Sequence, residues 1–238
     1  MKSRLLVTGF GPFPSVATNP SGKVAALVAD SPRLRRLGVE AQALVLPTAY
    51  AAIEGVLAPA LARGGFDAVL MIGVAGRARE IRVERRAANR ASLLAPDAAG
   101  KRRTSLTLGP GPGHRLNVVA PSPVLDRLRR HGLPCRPSRD AGRYLCNASY
   151  FAALAEPAPV LFLHIPKPPP KRPLKKPPEG PRRRPARTVR VGWHERLAAA
   201  FADVGIDLIT AARRRRPRPS RPACPGLGSV SEGLTPRS

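Results

Sequence analysis

Short apolar runs alternate along most of the chain with segments whose hydrophobic residues recur at helical spacing. Strands are predicted from the apolar runs, and helices from the spaced patterns. The predicted strands are 5–7, 43–46, 68–72, 81–87 and 160–165, and the predicted helices are 20–28, 50–63, 122–130, 148–155 and 193–212. Continuously apolar strands that alternate with helices are typical of a parallel sheet covered on both faces. We therefore expect an α/β fold, a three-layer α/β/α sandwich around a mostly parallel twisted sheet.

Three helix boundaries carry local signals. Asn19-Pro20 is expected to cap and start the first helix, and Ser122-Pro123 to do the same for a later one. Pro59 lies inside the segment 50–63. Because proline lacks the amide donor that a helix interior requires, this helix should kink or split there.

The composition changes abruptly after residue 166. The segment 167–190 holds ten Lys or Arg and one acidic residue among many prolines, so it cannot supply a core. The chain is therefore divided into a core (1–166), a basic Pro-rich linker or insertion (167–190), a C-terminal helix (191–212) and a disordered basic tail (213–238).

The formal net charge of +26 is concentrated in those basic segments. Such segments attract nucleic acid or anionic surfaces without sequence selectivity, but a solvated, disordered segment is the more common outcome. The chain has three cysteines and no CxxC pair, which argues against a disulfide framework or a zinc site. Neither a signal peptide nor a membrane-spanning run is evident. These features predict a cytoplasmic protein without a membrane partner.

Two residues stand out as candidate chemistry. Cys146 lies two residues before a predicted helix, and the positive end of a helix dipole stabilises negative charge in its first turn. His164 follows the apolar run 160–163. Sites in parallel sheets lie at the carboxyl ends of strands, where Phe10 and Gly73 are also expected. A cysteine with a histidine elsewhere in the chain is a candidate catalytic pair.

Three segments in this order resemble the pyroglutamyl peptidase I family of cysteine peptidases. The first is Thr8-Gly9-Phe10-Gly11-Pro12-Phe13, with Asn19-Pro20 after it. The second is Gly73-Val74-Ala75-Gly76-Arg77, leading to Val83-Glu84-Arg85-Arg86-Ala87-Ala88-Asn89. The third is Ala141-Gly142-Arg143-Tyr144-Leu145-Cys146-Asn147, with Phe162-Leu163-His164-Ile165-Pro166 behind it. The resemblance covers residues 1–166 and only loosely the last predicted helix.

The resemblance implies a catalytic triad of Glu84, Cys146 and His164. The Cys146 thiolate would attack the carbonyl of an N-terminal pyroglutamyl residue, and His164 would deliver a proton to the leaving amine. Glu84 would orient the imidazole. No metal and no cofactor is implied.

The family's pocket for the pyroglutamyl lactam is aromatic. Phe10, Phe13 and Tyr144 match its positions, and flat apolar faces suit a small ring. Gly9 and Gly11 are expected to let the backbone approach the ligand closely.

This chain departs from the family's pattern at several positions. Leu94 stands where an arginine is usual, and Ala98 where asparagine commonly follows Asp97. Val74 replaces an often polar residue, and Arg77 a frequent second glycine. An arginine near the site could supply positive charge for the thiolate, so its loss could lower activity.

The favoured hypothesis is a thiol protease that removes N-terminal pyroglutamate from peptides through a thioester acyl-enzyme. One alternative is a catalytically impaired peptidase-like protein that binds nucleic acid through its Lys/Arg/Pro segments. Another is a cysteine hydrolase with a different acyl substrate. The expected partners are pyroglutamyl peptides. A homo-oligomer is left open, and nucleic acid is the less favoured partner because aromatic residues do not interleave the basic runs.

Overall fold

A computed structural model describes residues 2–13, 18–170 and 191–215 of the 238-residue chain. The predicted basic segment 167–190 is described only to residue 170, and the predicted tail 213–238 only to residue 215. The rest of both predictions lies outside the described residues.

The described residues form an alternating α/β chain. The strands are β1 (Ser3–Phe10), β2 (Val39–Leu46), β3 (Ala68–Val74), β4 (Ile81–Glu84), β5 (Arg86–Ala88), β6 (His114–Leu116), β7 (Cys135–Ser138) and β8 (Val160–Ile165). The helices are α1 (Pro20–Ala29), α2 (Pro32–Arg36), a π-helical turn (Ile53–Leu57), α3 (Ala58–Ala62), α4 (Pro121–Arg130), α5 (Leu145–Ala153) and α6 (Trp193–Arg215).

Six strands form the main sheet in the order β2-β1-β3-β8-β4-β7. β2, β1, β3 and β8 are parallel to one another, and β4 pairs with β8 in the antiparallel direction. β7 runs parallel to β4, while β5 and β6 form a separate antiparallel pair. The prediction of a mostly parallel sheet is confirmed. The reversal at β4 is the feature that the sequence pattern did not indicate.

Helices cover both faces of the sheet, which confirms the three-layer sandwich. Alternate residues of a strand point to opposite faces, and Leu5 and Leu6 accordingly belong to different cores. The core that contains Leu5 packs against α1, α2, α4 and α6. The core that contains Leu6 packs against the π-helical turn, α3 and α5.

The junction of β1 and α1 explains why residue 9 is a glycine. Asn19 caps α1 as predicted, since its side chain accepts a hydrogen bond from the Ser21 amide at 3.1 Å, and Pro20 opens the helix. A Cβ atom on Gly9 would lie 2.5 Å from the Ser21 carbonyl oxygen. Gly9 admits the backbone of α1.

Several predicted boundaries differ from the structure. The segment 50–63 is helical but breaks into the π-helical turn and α3, with Pro59 in the first turn of α3. The predicted strand 81–87 divides at Arg85 into β4 and β5. α4 begins at Pro121 with Ala120 as its cap, so the expected cap at Ser122 is wrong. α6 continues to Arg215, beyond the predicted end at residue 212.

Three short elements have no counterpart among the predictions: α2, β6 and β7. Their apolar content is too small to produce a periodic pattern, and tertiary contacts set them. None of the helices in the described part of the chain combines the length and apolar character needed to cross a membrane.

Gly9→Ala should lower the free energy of unfolding by about 1–3 kcal/mol, because the added methyl group meets backbone atoms of α1 that have little room to move. Gly55→Ala is the matched control, since a Cβ there meets nothing within 4 Å. Its stability should stay within about 1 kcal/mol of the parent's. Urea unfolding of the three proteins measures both effects. Equal losses of unfolding free energy in the two variants would contradict a close contact between Gly9 and α1.

Candidate active site

Glu84 and His164 form a buried hydrogen-bonded pair across the antiparallel junction of the sheet. Glu84 is paired with Phe162 in the register of β4 and β8, so His164 is its diagonal neighbour two residues further along β8. Diagonal side chains on one face of an antiparallel pair lie within reach of long residues. The Glu84 Oε1 to His164 Nδ1 distance is 2.8 Å, with the two residues 0 % and 5 % exposed.

Cys146 reaches the same face of the sheet from α5. It is the second residue of the helix, with Tyr144 as the N-cap, and it is a partly exposed free thiol. A Cβ atom on Gly73 would lie 2.9 Å from the Cys146 sulfur and 2.8 Å from the Phe162 ring. Gly73 is also paired with His164 in the β3–β8 register. Because glycine has no side chain, Gly73 leaves room for the Cys146 sulfur beside β8, the strand that carries His164.

Charge and hydrogen bonding act on His164 from both sides. Burial by itself lowers the pKa of the imidazole, but hydrogen bonds with Cys146 and Glu84, and the charges of both, outweigh burial and raise the pKa to about 9. The imidazole also stacks at an angle on Phe162, with 4.8 Å between ring centroids. The site thus favours a histidine that holds its proton at neutral pH.

Two residues of α5 that sequence analysis did not single out hold this helix against β4 and β5. The Asn147 amide accepts from the Ala88 amide and donates to the carbonyls of Ala88 and Arg90, at 2.8–3.0 Å. The Tyr150 hydroxyl donates to the Glu84 carbonyl at 3.0 Å. Asn147 follows Cys146 directly and is completely buried. That burial is not visible in the sequence, where an asparagine near a helix start suggests a cap.

The three predicted aromatic residues line one cavity of about 560 Å³ together with Cys146. Phe10 is the last residue of β1, and the Phe13 and Tyr144 rings meet edge to face, with 5.9 Å between centroids. The Tyr144 hydroxyl donates to the Pro96 carbonyl at 2.7 Å. Burial raises the pKa of Tyr144 to about 12, with Tyr50 and Asp97 adding to the effect, so it stays neutral.

Asp97 fixes the loop that Tyr144 contacts. Its carboxylate accepts from the backbone amides of Tyr50, Ala99 and Lys101 at 2.9–3.0 Å. Burial opposes the effect, but these hydrogen bonds lower the pKa of Asp97 below its ordinary value. A buried carboxylate therefore anchors this loop.

The remaining cavity wall includes residues that sequence analysis missed or assigned otherwise. These are Thr18, Asn19, Pro20, Thr48, Val74, Gly76, Leu145, Lys167 and Pro168. Leu94, the position at which an arginine was expected, is 82 % exposed and is not part of the wall. Within the described ranges, no group of three or more His, Cys, Asp or Glu side chains could hold a metal ion.

Comparison with known proteins identifies the family of the chain. Residues 3–184 match the model of the pyroglutamyl peptidase family. The chain belongs to the pyroglutamyl peptidase family. It is thus an enzyme, a hydrolase of the peptidase class.

Individual members of the pyroglutamyl peptidase family resemble both the sequence and the fold. The pyrrolidone-carboxylate peptidase of Gloeobacter violaceus is 33 % identical over 170 residues, which span 68 % of this chain and 81 % of the relative. The crystal structure of pyrrolidone carboxyl peptidase from Thermus thermophilus is 36 % identical, with a TM-score of 0.62 over 69 % of this chain and 85 % of its own. A mutant (A199P) of the P. furiosus enzyme has a TM-score of 0.67 at 25 % identity, over 87 % of this chain and 98 % of its own.

The raised pKa of His164 predicts a pH-dependent stability. A group whose pKa rises on folding from 6.5 to about 9 contributes stability that is complete below pH 6.5 and is lost as the pH rises through about 9. The contribution should reach about 3 kcal/mol. We expect the difference in unfolding free energy between the parent and His164→Gln to shrink from pH 6 to pH 10.

Urea unfolding under reducing conditions at several pH values measures this difference. Taking the difference between the two proteins cancels the groups that titrate in the same range and do not interact with His164. A difference in unfolding free energy that is constant, or that grows with pH, would contradict a raised pKa of His164.

Proposed function

We propose that the protein is a cysteine peptidase that removes N-terminal pyroglutamate from peptides through a thioester acyl-enzyme. The observation that carries the proposal is the convergence of the Glu84–His164 pair and Cys146 beside an aromatic-lined cavity. Membership of the pyroglutamyl peptidase family supports the choice of substrate. Glu84, Cys146 and His164 are the proposed catalytic unit, and Phe10, Phe13 and Tyr144 the proposed lactam pocket.

Acylation begins with the Cys146 sulfur as nucleophile. Its thiolate attacks the carbonyl carbon of the pyroglutamyl residue, and a carbon–sulfur bond forms. The bond between that carbon and the peptide nitrogen then breaks, and His164 gives its proton to the departing amine. A histidine that is protonated at neutral pH suits this step, because its proton is available when the amine leaves.

Deacylation uses water. His164, now neutral, takes a proton from water as the oxygen attacks the thioester carbon. The carbon–sulfur bond breaks, which releases pyroglutamate and returns the thiolate beside a protonated imidazole. Glu84 holds the ring through Nδ1, which leaves Nε2 for the proton transfers. No metal or cofactor takes part in this scheme.

The cavity suits the pyroglutamyl ring. The lactam has no charge, and the rings of Phe10, Phe13 and Tyr144 offer apolar faces and edges without an ionised group. Desolvation of a small neutral ring costs little when aromatic surfaces replace water.

The two alternative functions have less support. A nucleic-acid-binding role depends on basic segments that lie largely outside the described residues, and a different acyl substrate depends on the cavity accepting another ring.

Cys146→Ala should abolish release of aminomethylcoumarin from its pyroglutamyl derivative, with a fall of at least about 10³-fold, since no other thiol in the described part of the chain lines the cavity. Cys135→Ala is the matched control, because Cys135 is buried in the core on the opposite face of the sheet. It should keep its activity. Alanyl and prolyl coumarins, tested beside the pyroglutamyl substrate, separate this activity from a general cysteine hydrolase.

Two outcomes would contradict the proposal. Equal turnover by the parent and Cys146→Ala would exclude the thioester, and faster cleavage of the alanyl or prolyl substrates would exclude the lactam specificity.

Phe13→Ala should raise the KM for the pyroglutamyl substrate about tenfold and leave the stability nearly unchanged, because Phe13 is half-buried at the cavity. Phe66→Ala is the control. Phe66 is also half-buried, but it lies before β3, at the amino-terminal edge of the parallel strands, where it contacts Arg4. If steady-state kinetics give the same KM for both variants, Phe13 is not part of the lactam pocket.

A further inference from the structure

Among the described residues that line the cavity, Lys167 is the one Lys, Arg, Asp or Glu. The wall contains no Asp or Glu. Lys167 is exposed and takes part in none of the ion pairs within residues 2–13, 18–170 and 191–215. An unpaired ammonium group at the edge of an otherwise uncharged cavity is free to bind an anionic group of a substrate.

The location of Lys167 is set by β8. It follows His164 by three residues, just beyond the end of the strand at Ile165. Its aliphatic stem lies against Gly76, where an added Cβ would be 3.2 Å from the Lys167 Cε atom. Gly76 belongs to the loop that follows β3, and β3 is the neighbour of β8 in the sheet. Lys167 is therefore held on the histidine side of the cavity.

The aromatic residues enter the cavity from other elements. Phe10 ends β1, two strands away from β8 in the sheet order, and Tyr144 caps α5. The cavity thus has an aromatic side and a cationic side. In the proposed function the lactam ring occupies the aromatic side, and the departing amine lies near His164, which supplies its proton. The peptide beyond the broken bond then extends toward Lys167.

We propose that Lys167 makes the enzyme prefer peptides whose first residue after pyroglutamate carries a carboxylate. The inference rests on the proposed function for the orientation of the substrate. The carboxylate can come from an acidic side chain or from a free C-terminus directly after the pyroglutamyl residue. Both would place a negative charge within one residue of the broken bond, on the side that holds the ammonium group.

The charged residues near Lys167 also favour the binding of a carboxylate. Arg77, next to Gly76, is exposed and forms no ion pair within the described part of the chain. Glu80 in the same loop is neutralised by Arg136, at 2.8 Å between Nε and Oε1. Since Lys167 is exposed, solvent screens its charge, and the preference should be about two- to fivefold, the range of exposed ion pairs. It should fall with rising salt.

The test compares three dipeptides: pyroglutamyl-glutamate amide, pyroglutamyl-glutamine amide and pyroglutamyl-glutamine with a free carboxylate. Pyroglutamate has no primary amine, so an amine-reactive fluorophore detects only the released residue. We expect the parent to cleave both charged dipeptides with a kcat/KM about two- to fivefold above that of the neutral amide. The two charged peptides separate side-chain from C-terminal recognition.

Variants assign the preference to Lys167. In Lys167→Gln the ratio of charged to neutral substrate should fall to about one, and in Lys167→Glu it should invert. Lys2→Gln is the matched control, since Lys2 is exposed before β1 at the opposite edge of the sheet. It should keep the parent's ratio. A ratio of about one in the parent, or an unchanged ratio in Lys167→Gln, would overturn the inference even though all three peptides are cleaved.

Binding to Cys146→Ala, measured by calorimetry, provides a second readout that does not need turnover. The charged dipeptides should bind more tightly than the neutral amide, and Lys167→Gln in the same background should remove the difference. If the parent cleaves none of the peptides, the proposed function fails, and the binding ratio alone decides whether Lys167 selects a carboxylate. Equal affinities for all three peptides would overturn the inference.

Discussion

The hydrogen bond between Glu84 and His164 depends on the antiparallel pairing of β4 with β8 in the main sheet. β8 lies between parallel β3 and antiparallel β4, and the β4–β8 register brings a carboxylate diagonally across from the imidazole. Both groups are buried, so an unpaired charge there would be costly. Their mutual bond, together with the nearby thiol, makes the burial tolerable and keeps the histidine protonated at neutral pH.

The position of α5 is the second constraint, because it brings the thiol to that pair. Asn147 ties the first turn of the helix to the β5 region with three hydrogen bonds, and Tyr150 ties its middle to the backbone of β4. Gly73 leaves room for the sulfur beside the sheet. Buried polar groups are rigid when all their partners are present. The helix and the Glu84–His164 pair are thus held by the same strand, and a change in one displaces the other.

The cavity combines two chemical environments around this unit. Aromatic rings from β1 and from the start of α5 form an uncharged side, while Lys167 brings a positive charge beyond the end of β8. The expected arginine is absent at Leu94, which points into solvent. A positive charge is nevertheless present in the wall, supplied by a different element. The leucine at position 94 therefore does not leave the cavity without a positive charge.

The sequence by itself determined the strands and helices with strong apolar patterns, the cap at Asn19, and the set of motifs that includes Cys146 and His164. Hydrophobic period and capping chemistry are local properties, so they are visible along the chain. Only the tertiary structure decided the direction of β4, the burial of Asn147 and the presence of Lys167 in the cavity wall. These depend on which strands become neighbours and on which atoms lose contact with water, and neither is encoded in the spacing of residues along one segment.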